Sequence, residues 1–143
     1  MQNFDSKKIT SNLLKCKTKI EPNHSNLKDL VFSMKVARQI NSNAIVLAEN
    51  QKTLGLGIGQ TSRLKSTEQA IISMKKNIQN IPNNIVMASD GFFPFPDIID
   101  LCSKNGIKYI IQPGGSINDK DVIIRANEKK ISLLFTGIRH FKH

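Results

Sequence analysis

Tryptophan is absent from this chain of 143 residues, tyrosine occurs once and cysteine twice. Cys16 and Cys102 have no partner at metal-ligand spacing, so neither a zinc site nor a disulfide framework is indicated, and a reducing compartment is expected. No apolar run approaches the roughly 18–20 residues that a membrane-spanning helix needs. The start, Met1-Gln2-Asn3-Phe4-Asp5, lacks the charged head and apolar core of a secretory signal. A cytoplasmic location is the expectation, with no membrane partner. Acidic residues are also scarce, 11 against 21 Lys and Arg, which leaves a net charge of +10. Clustered, that excess would suit nucleic acid. It is scattered instead, through Lys7-Lys8, Lys15-Cys16-Lys17, Lys75-Lys76 and Lys129-Lys130, without aromatic interleaving or a nucleic-acid motif. Solvated faces and no nucleic-acid partner are the expectation; small phosphorylated or polyanionic ligands fit the charge.

What is present is enough for one core. Residues 1–25 form a polar segment with sporadic Ile9, Leu13, Leu14 and Ile20, read as a leader or docking segment, and residues 26–143 form the domain. Leu27, Leu30, Val31, Met34, Ala37 and Ile40 recur at helical spacing, with Ser25 or Asn26 as the cap. Asn43 to Ala48 is a continuous apolar run typical of a strand covered on both faces. A tight turn over 49–52 returns it antiparallel into Thr53 to Gly59. Ser66-Thr67-Glu68-Gln69 has capping-box spacing before a helix that continues through Ile78. Strands at Ile85–Ala88, Ile107–Ile111 and Ile131–Phe135 then alternate with helices that begin near Pro96 and Asn118. This order predicts an α/β fold, a three-layer sandwich whose mixed sheet starts with a hairpin.

Chemistry in such a sheet collects beyond the strand tips. Gly55-Leu56-Gly57-Ile58-Gly59 does not have the spacing of a dinucleotide fingerprint. Its glycines either face a neighbouring element or bring Gln60-Thr61-Ser62-Arg63 to a ligand. Arg63 is the favoured contact, because a planar guanidinium matches phosphate or carboxylate. Phe92-Phe93-Pro94-Phe95 places three aromatics in a loop, either as a core plug or subunit interface or as a wall for a flat ligand, with Asp90 or Asp97 supplying a polar contact. The amides of Pro113-Gly114-Gly115-Ser116 suit a carboxylate or phosphate. Asp90, Asp97 and Asp100 are too spread to name as an acid/base pair, and no nucleophile motif is present.

Together with Ser42-Asn43-Ala44-Ile45-Val46 and the ending Phe135-Thr136-Gly137-Ile138-Arg139-His140-Phe141-Lys142-His143, these motifs closely resemble the C-terminal end of the bifunctional purine biosynthesis proteins. That family joins AICAR formyltransferase to IMP cyclohydrolase. The match runs in order over roughly residues 25–143 and falls in the transformylase. The resemblance implies a cytidine-deaminase-like fold without the deaminase zinc signature, and formyl transfer from 10-formyltetrahydrofolate to AICAR. By motif, Asn43, Arg63 and Arg139 resemble contacts to the AICAR ribotide, the first two contributed across a dimer interface. Leu64, Phe92, Asp97, Ser116 and Ile117 resemble folate-side positions. Asp90 resembles a position that in some members helps hold a monovalent cation, or it is structural. Arg63→Ala is expected to weaken AICAR-ribotide binding and leave the fold intact.

The family's catalytic Lys-His pair lies upstream of the matched part, so the resemblance implies no catalytic residue here; Lys142-His143 belongs to the ending. The pair assists proton removal from a weakly nucleophilic amine. A homodimer, or a partner chain carrying the upstream half, is therefore expected. The alternatives are a non-catalytic nucleotide- or folate-binding or regulatory module, and a basic nucleic-acid-binding protein.

Overall fold

Short apolar runs form the middle of the molecule. The computed structural model describes residues 14–137. In chain order the elements are β1 (Lys15–Cys16), α1 (His24–Ala37), β2 (Ile45–Glu49), β3 (Lys52–Gly57), α2 (Arg63–Asn77), β4 (Val86–Ser89), α3 (Asp97–Lys104), β5 (Tyr109–Gln112), α4 (Asp119–Glu128) and β6 (Ser132–Phe135). The strands make one sheet in the order β1-β6-β5-β4-β2-β3. β4, β5 and β6 are parallel, β1 is antiparallel to β6, and the β2–β3 hairpin joins β4 antiparallel through β2.

Successive residues of a strand face opposite sides. Ile45 and Leu47 of β2 therefore enter a core built with α2, α3 and α4, while Val46 and Ala48 pack with Leu30, Met34 and Ala37 of α1. Coverage of both faces explains why these strands carry uninterrupted apolar runs. The result is the expected α/β three-layer sandwich around a mixed sheet, with, among the described residues, one helix on one face and three on the other. Among the described residues no helix is long and apolar enough to cross a membrane.

The N-terminal segment is more integrated than its polarity suggests. Lys15 and Cys16 pair with Phe135 and Leu134, and the Lys17 amide donates to the Leu133 carbonyl at 2.8 Å. Residues 14–25 thus contribute an edge strand and the first turn of α1. The α1 cap is Asn23, earlier than expected. Its Oδ1 accepts the Asn26 amide at 2.8 Å, and Asn26 Oδ1 accepts the Asn23 amide at 3.2 Å. Asparagine has replaced the usual members of a capping box. The Ser66–Gln69 box is also corrected, because α2 begins at Arg63, with Ser62 Oγ accepting the Lys65 amide at 3.1 Å. Ser66 and Thr67 are buried one turn inside the helix, where their hydroxyls donate to the carbonyls of Asn43 at 2.6 Å and Arg63 at 2.9 Å.

A buried carboxylate also shapes the β2–β3 turn. Asp29 of α1 accepts the amides of Asn50 at 3.0 Å and Gln51 at 2.9 Å, and both residues have positive φ. The β3 glycines answer the question left open by the sequence: they face a neighbouring element. A Cβ on Gly57 would lie 1.9 Å from the Ser66 carbonyl oxygen, and one on Gly55 would lie 2.2 Å from that of Ala70. These glycines let α2 lie directly on the edge strand. Gly57→Ala is expected to cost more than 2 kcal/mol, because backbone must move. Gly59→Ala, at φ +65 with open space around it, should cost about 1 kcal/mol. Urea denaturation of the two variants measures the difference, and equal losses would mean that helix contact is not what Gly57 serves.

Candidate functional site at the strand tips

All the motif loops within the described residues emerge at one edge of the sheet. β2 runs opposite to β4, so Ile45 pairs with both Ser89 and Gly57. The entry to β2 therefore lies beside the exits of β3 and β4. The exits of β5 and β6 share that edge through their parallel register with β4. Asn43, the Gln60–Arg63 loop, Asp90–Asp97, Gln112–Ile117 and Thr136–Gly137 are brought to a common rim. Arg139 lies outside the described residues.

Asp90, fully buried, organises one half of the rim. Its carboxylate accepts the Ser42 hydroxyl at 2.6 Å and the Ala44 amide at 3.0 Å, and it forms an ion pair with Arg63 Nη1. Arg63 is itself only 8% exposed. Burial pushes its guanidinium down from the ordinary value, while the Asp90 charge and hydrogen bond favour its charged form. Arg63 is thus held in place by a core carboxylate, and its replacement perturbs the fold as well as any ligand contact. The expectation that Arg63→Ala would leave the fold intact is corrected on that ground. Asn43 lies alongside, its Nδ2 donating to the Gln60 carbonyl at 2.9 Å and its carbonyl accepting from Ser66. The sequence reading gave Asp90 no firm role and did not single out Ser42 or Ser66. Ser42 lies beside Asn43 in a quoted motif; Ser66 carried no signal of its own, having been read as a cap.

The second half contains the other candidates. The three loop aromatics divide: Phe93 is fully buried in the core, Phe92 is half-buried and Phe95 is 58% exposed. One ring is therefore the plug, and two remain at the rim. Leu64 is half-buried and packs against the core cluster under α2. Asp97 is exposed at the first position of α3. Ile117 stands 99% exposed, beside the half-buried Ser116.

The glycine loop differs from expectation in its anion. The amides of Gly115 and Ser116 donate to the two oxygens of Asp119 at 2.8 and 3.1 Å, so the carboxylate they bind belongs to the chain itself. The Ser116-x-x-Asp119 spacing was the available signal. Two further ties join this loop to the aromatic loop: Asn118 Nδ2 donates to the Pro94 carbonyl at 2.7 Å, and the Gln112 side chain lies between Phe93 and Gly114. Among the described residues no three His, Cys, Asp or Glu side chains gather as metal ligands.

An α/β sandwich around a mixed sheet, with the candidate site residues at one end of its strands, is the class defined by this geometry, and solved structures share the fold. The dCMP deaminase from cyanophage S-TIM5 superposes with a TM-score of 0.51 in its apo form, at 14% identity, covering 70% of this chain and 88% of that one. Its complex with dCMP and dUMP gives 0.52 at 16% identity, covering 70% and 90%. That likeness is one of fold. The sequence is more specific: residues 1–73 match the model of the AICARFT/IMPCHase bienzyme family, and the chain belongs to that family. It is 47% identical to the bifunctional purine biosynthesis protein PurH of Fusobacterium nucleatum over 126 residues, 88% of this chain and 25% of that protein. Identity to the Buchnera aphidicola PurH is also 47%, over 100% of this chain and 27% of the relative. For Persephonella marina PurH it is 48%, over 92% and 25%. The chain spans about a quarter of the length of these curated relatives.

The ion pair generates a direct test. Asp90→Ala leaves the Arg63 charge buried and unpaired, an expected loss of about 3–5 kcal/mol in urea denaturation. Adding Arg63→Met should recover a substantial part of that loss. A double variant whose loss equals the sum of the two single losses would show that the groups do not support each other.

Proposed function

We propose that this chain is the C-terminal portion of an AICAR formyltransferase, holding part of the sites for AICAR ribotide and 10-formyltetrahydrofolate. The observation that carries the reading is the convergence of both candidate groups on one sheet edge, Asn43 and Arg63 around Asp90, and Phe92, Asp97, Ser116 and Ile117 on the neighbouring loops. Membership of the bienzyme family supports it, and so does the resemblance of the strand-tip motifs to those of the transformylase.

The residues suit the two ligands differently. Arg63, its charge already paired with Asp90, offers its guanidinium as a hydrogen-bond donor beside the Asn43 amide, which suits an anionic nucleotide. Phe92 and the exposed Phe95 and Ile117 give apolar surface for a flat ring, with Asp97 as a polar anchor beside them. The Gly115 and Ser116 amides are already engaged by Asp119, so the loop serves as shape rather than as an anion cradle. A monovalent cation would share Asp90 with Arg63, and no step in this reading uses one. The cosubstrate supplies the formyl group. In this reading proton transfer falls to the family's Lys-His pair, which residues 1–143 do not include and which a polypeptide carrying the upstream half would supply. Without such a group a weakly nucleophilic amine reacts slower by about 10²–10⁴-fold.

Calorimetric titration of the full chain with AICAR ribotide and a 10-formyl-folate analogue tests the sites. Formyl transfer with and without the upstream half tests the chemistry. Asn43→Ala is expected to weaken the ribotide about tenfold and spare the folate analogue, and Phe92→Ala the reverse. Transfer should appear only on mixing. Binding of both ligands without rescued transfer would favour a regulatory module; no binding even with the upstream half present would overturn the reading.

A further inference from the structure

Gln112 is the last residue of β5 and is fully buried. A buried primary amide is costly unless its polar atoms are used. Its oxygen is used twice: Oε1 accepts the Phe93 amide at 3.4 Å and the Gly114 amide at 3.1 Å. One atom therefore joins the aromatic loop to the glycine loop. Gly114 is also confined from another side, since at φ +77 a Cβ there would lie 2.5 Å from the Phe135 ring. The Asn118–Pro94 bond closes the same two loops nearer the surface. Gln112 Nε2 has no hydrogen-bond partner among the described residues, so the contacts that define this side chain are those of its oxygen.

The geometry points to Gln112 as a positioning residue, one that sets the separation of the Phe92 loop from the Ser116–Ile117 loop and so shapes the half of the rim assigned to folate. Its ligand role rests on the function proposed above. Gln112, fully buried, acts through two main-chain amides, and Asn118 is its outer partner. The ribotide half around Asp90 is built from different hydrogen bonds and is independent of it.

The test uses the full chain with Gln112→Met, Gln112→Glu and Asn118→Ala. Two readouts are taken: hydrogen exchange at the Phe93 and Gly114 amides without ligand, and affinities for the 10-formyl-folate analogue and AICAR ribotide. Gln112→Met removes the shared acceptor. It should speed exchange at both amides and weaken the folate analogue by about tenfold, leaving the ribotide within about twofold. Gln112→Glu keeps an acceptor oxygen but buries a carboxyl; read at about pH 5, where burial keeps that carboxyl neutral, it should restore both protection and folate affinity. Asn118→Ala, at a half-buried site that spares the core, should weaken the folate analogue alone. Unchanged exchange in Gln112→Met, or equal loss of both ligands in any folded variant, overturns the assignment. Should the unaltered chain bind neither ligand, the proposed function fails instead. Exchange then decides the clamp: accelerated in Gln112→Met and restored in Gln112→Glu upholds it, and protection retained in Gln112→Met overturns it. Should Gln112→Met fail to fold, Gln112→Glu and Asn118→Ala decide: amides that stay protected in the first and exchange faster in the second uphold the clamp, and the reverse overturns it.

Discussion

The Asp90 carboxylate is the constraint on which the candidate site depends. A fully buried anion persists only where hydrogen bonds and an opposite charge replace its water. Here those partners come from two places in the chain, the Ser42–Ala44 entry to β2 and the first residue of α2, and they meet at Asp90 just beyond β4. Satisfying one carboxylate therefore fixes where β2 enters the sheet, where the β4 loop leaves it and how α2 begins. The close seating of α2 on Gly55 and Gly57, with Ser66 bonded to the Asn43 carbonyl, completes the arrangement. Arg63 is rigid because it belongs to this network.

A second arrangement, without an ion pair, governs the neighbouring loops. Gln112, Asn118 and Asp119 direct their side chains to main-chain groups of the aromatic and glycine loops, so the rim there is shaped by amide and carboxylate contacts to backbone. The two halves differ in kind. One is an ion pair under the sheet edge, sensitive to loss of either charge. The other is a set of hydrogen bonds holding loops that display apolar surface, with Ile117 and Phe95 outermost. An anionic ligand and a flat, largely apolar one make correspondingly different demands on a site.

Much of this was legible in the sequence because it rests on local pattern. The runs of β2, β4, β5 and β6 read directly as strands, that of β2 as one covered on both faces, and the order of elements implied the sandwich. The site motifs were also legible as residues at strand tips. The missed features depend on distant partners. β1 is two residues long and polar at one of them, and only its pairing with β6 makes it a strand. The Ser66 and Thr67 hydroxyls looked available for capping because their acceptors, the Asn43 and Arg63 carbonyls, are set by tertiary packing and by helix register. The identity of the anion held by Gly115 and Ser116 was likewise a matter of which carboxylate the fold places there.

The short pairing of β1 has a meaning for the sheet as a whole. Without it, β6, with Leu133, Leu134 and Phe135, would end the parallel part of the sheet with unpaired amides and carbonyls beside apolar side chains, the kind of margin on which copies of a chain stack. Two residues, Lys15 and Cys16, followed by Lys17, close that margin and place positive charge along it. At the other margin β3 begins with Lys52 and carries glycine at alternate positions, a poor template for further strands. In this sense Lys15 to Lys17 work against stacking of copies: they cover a margin that β6 alone would leave open to growth.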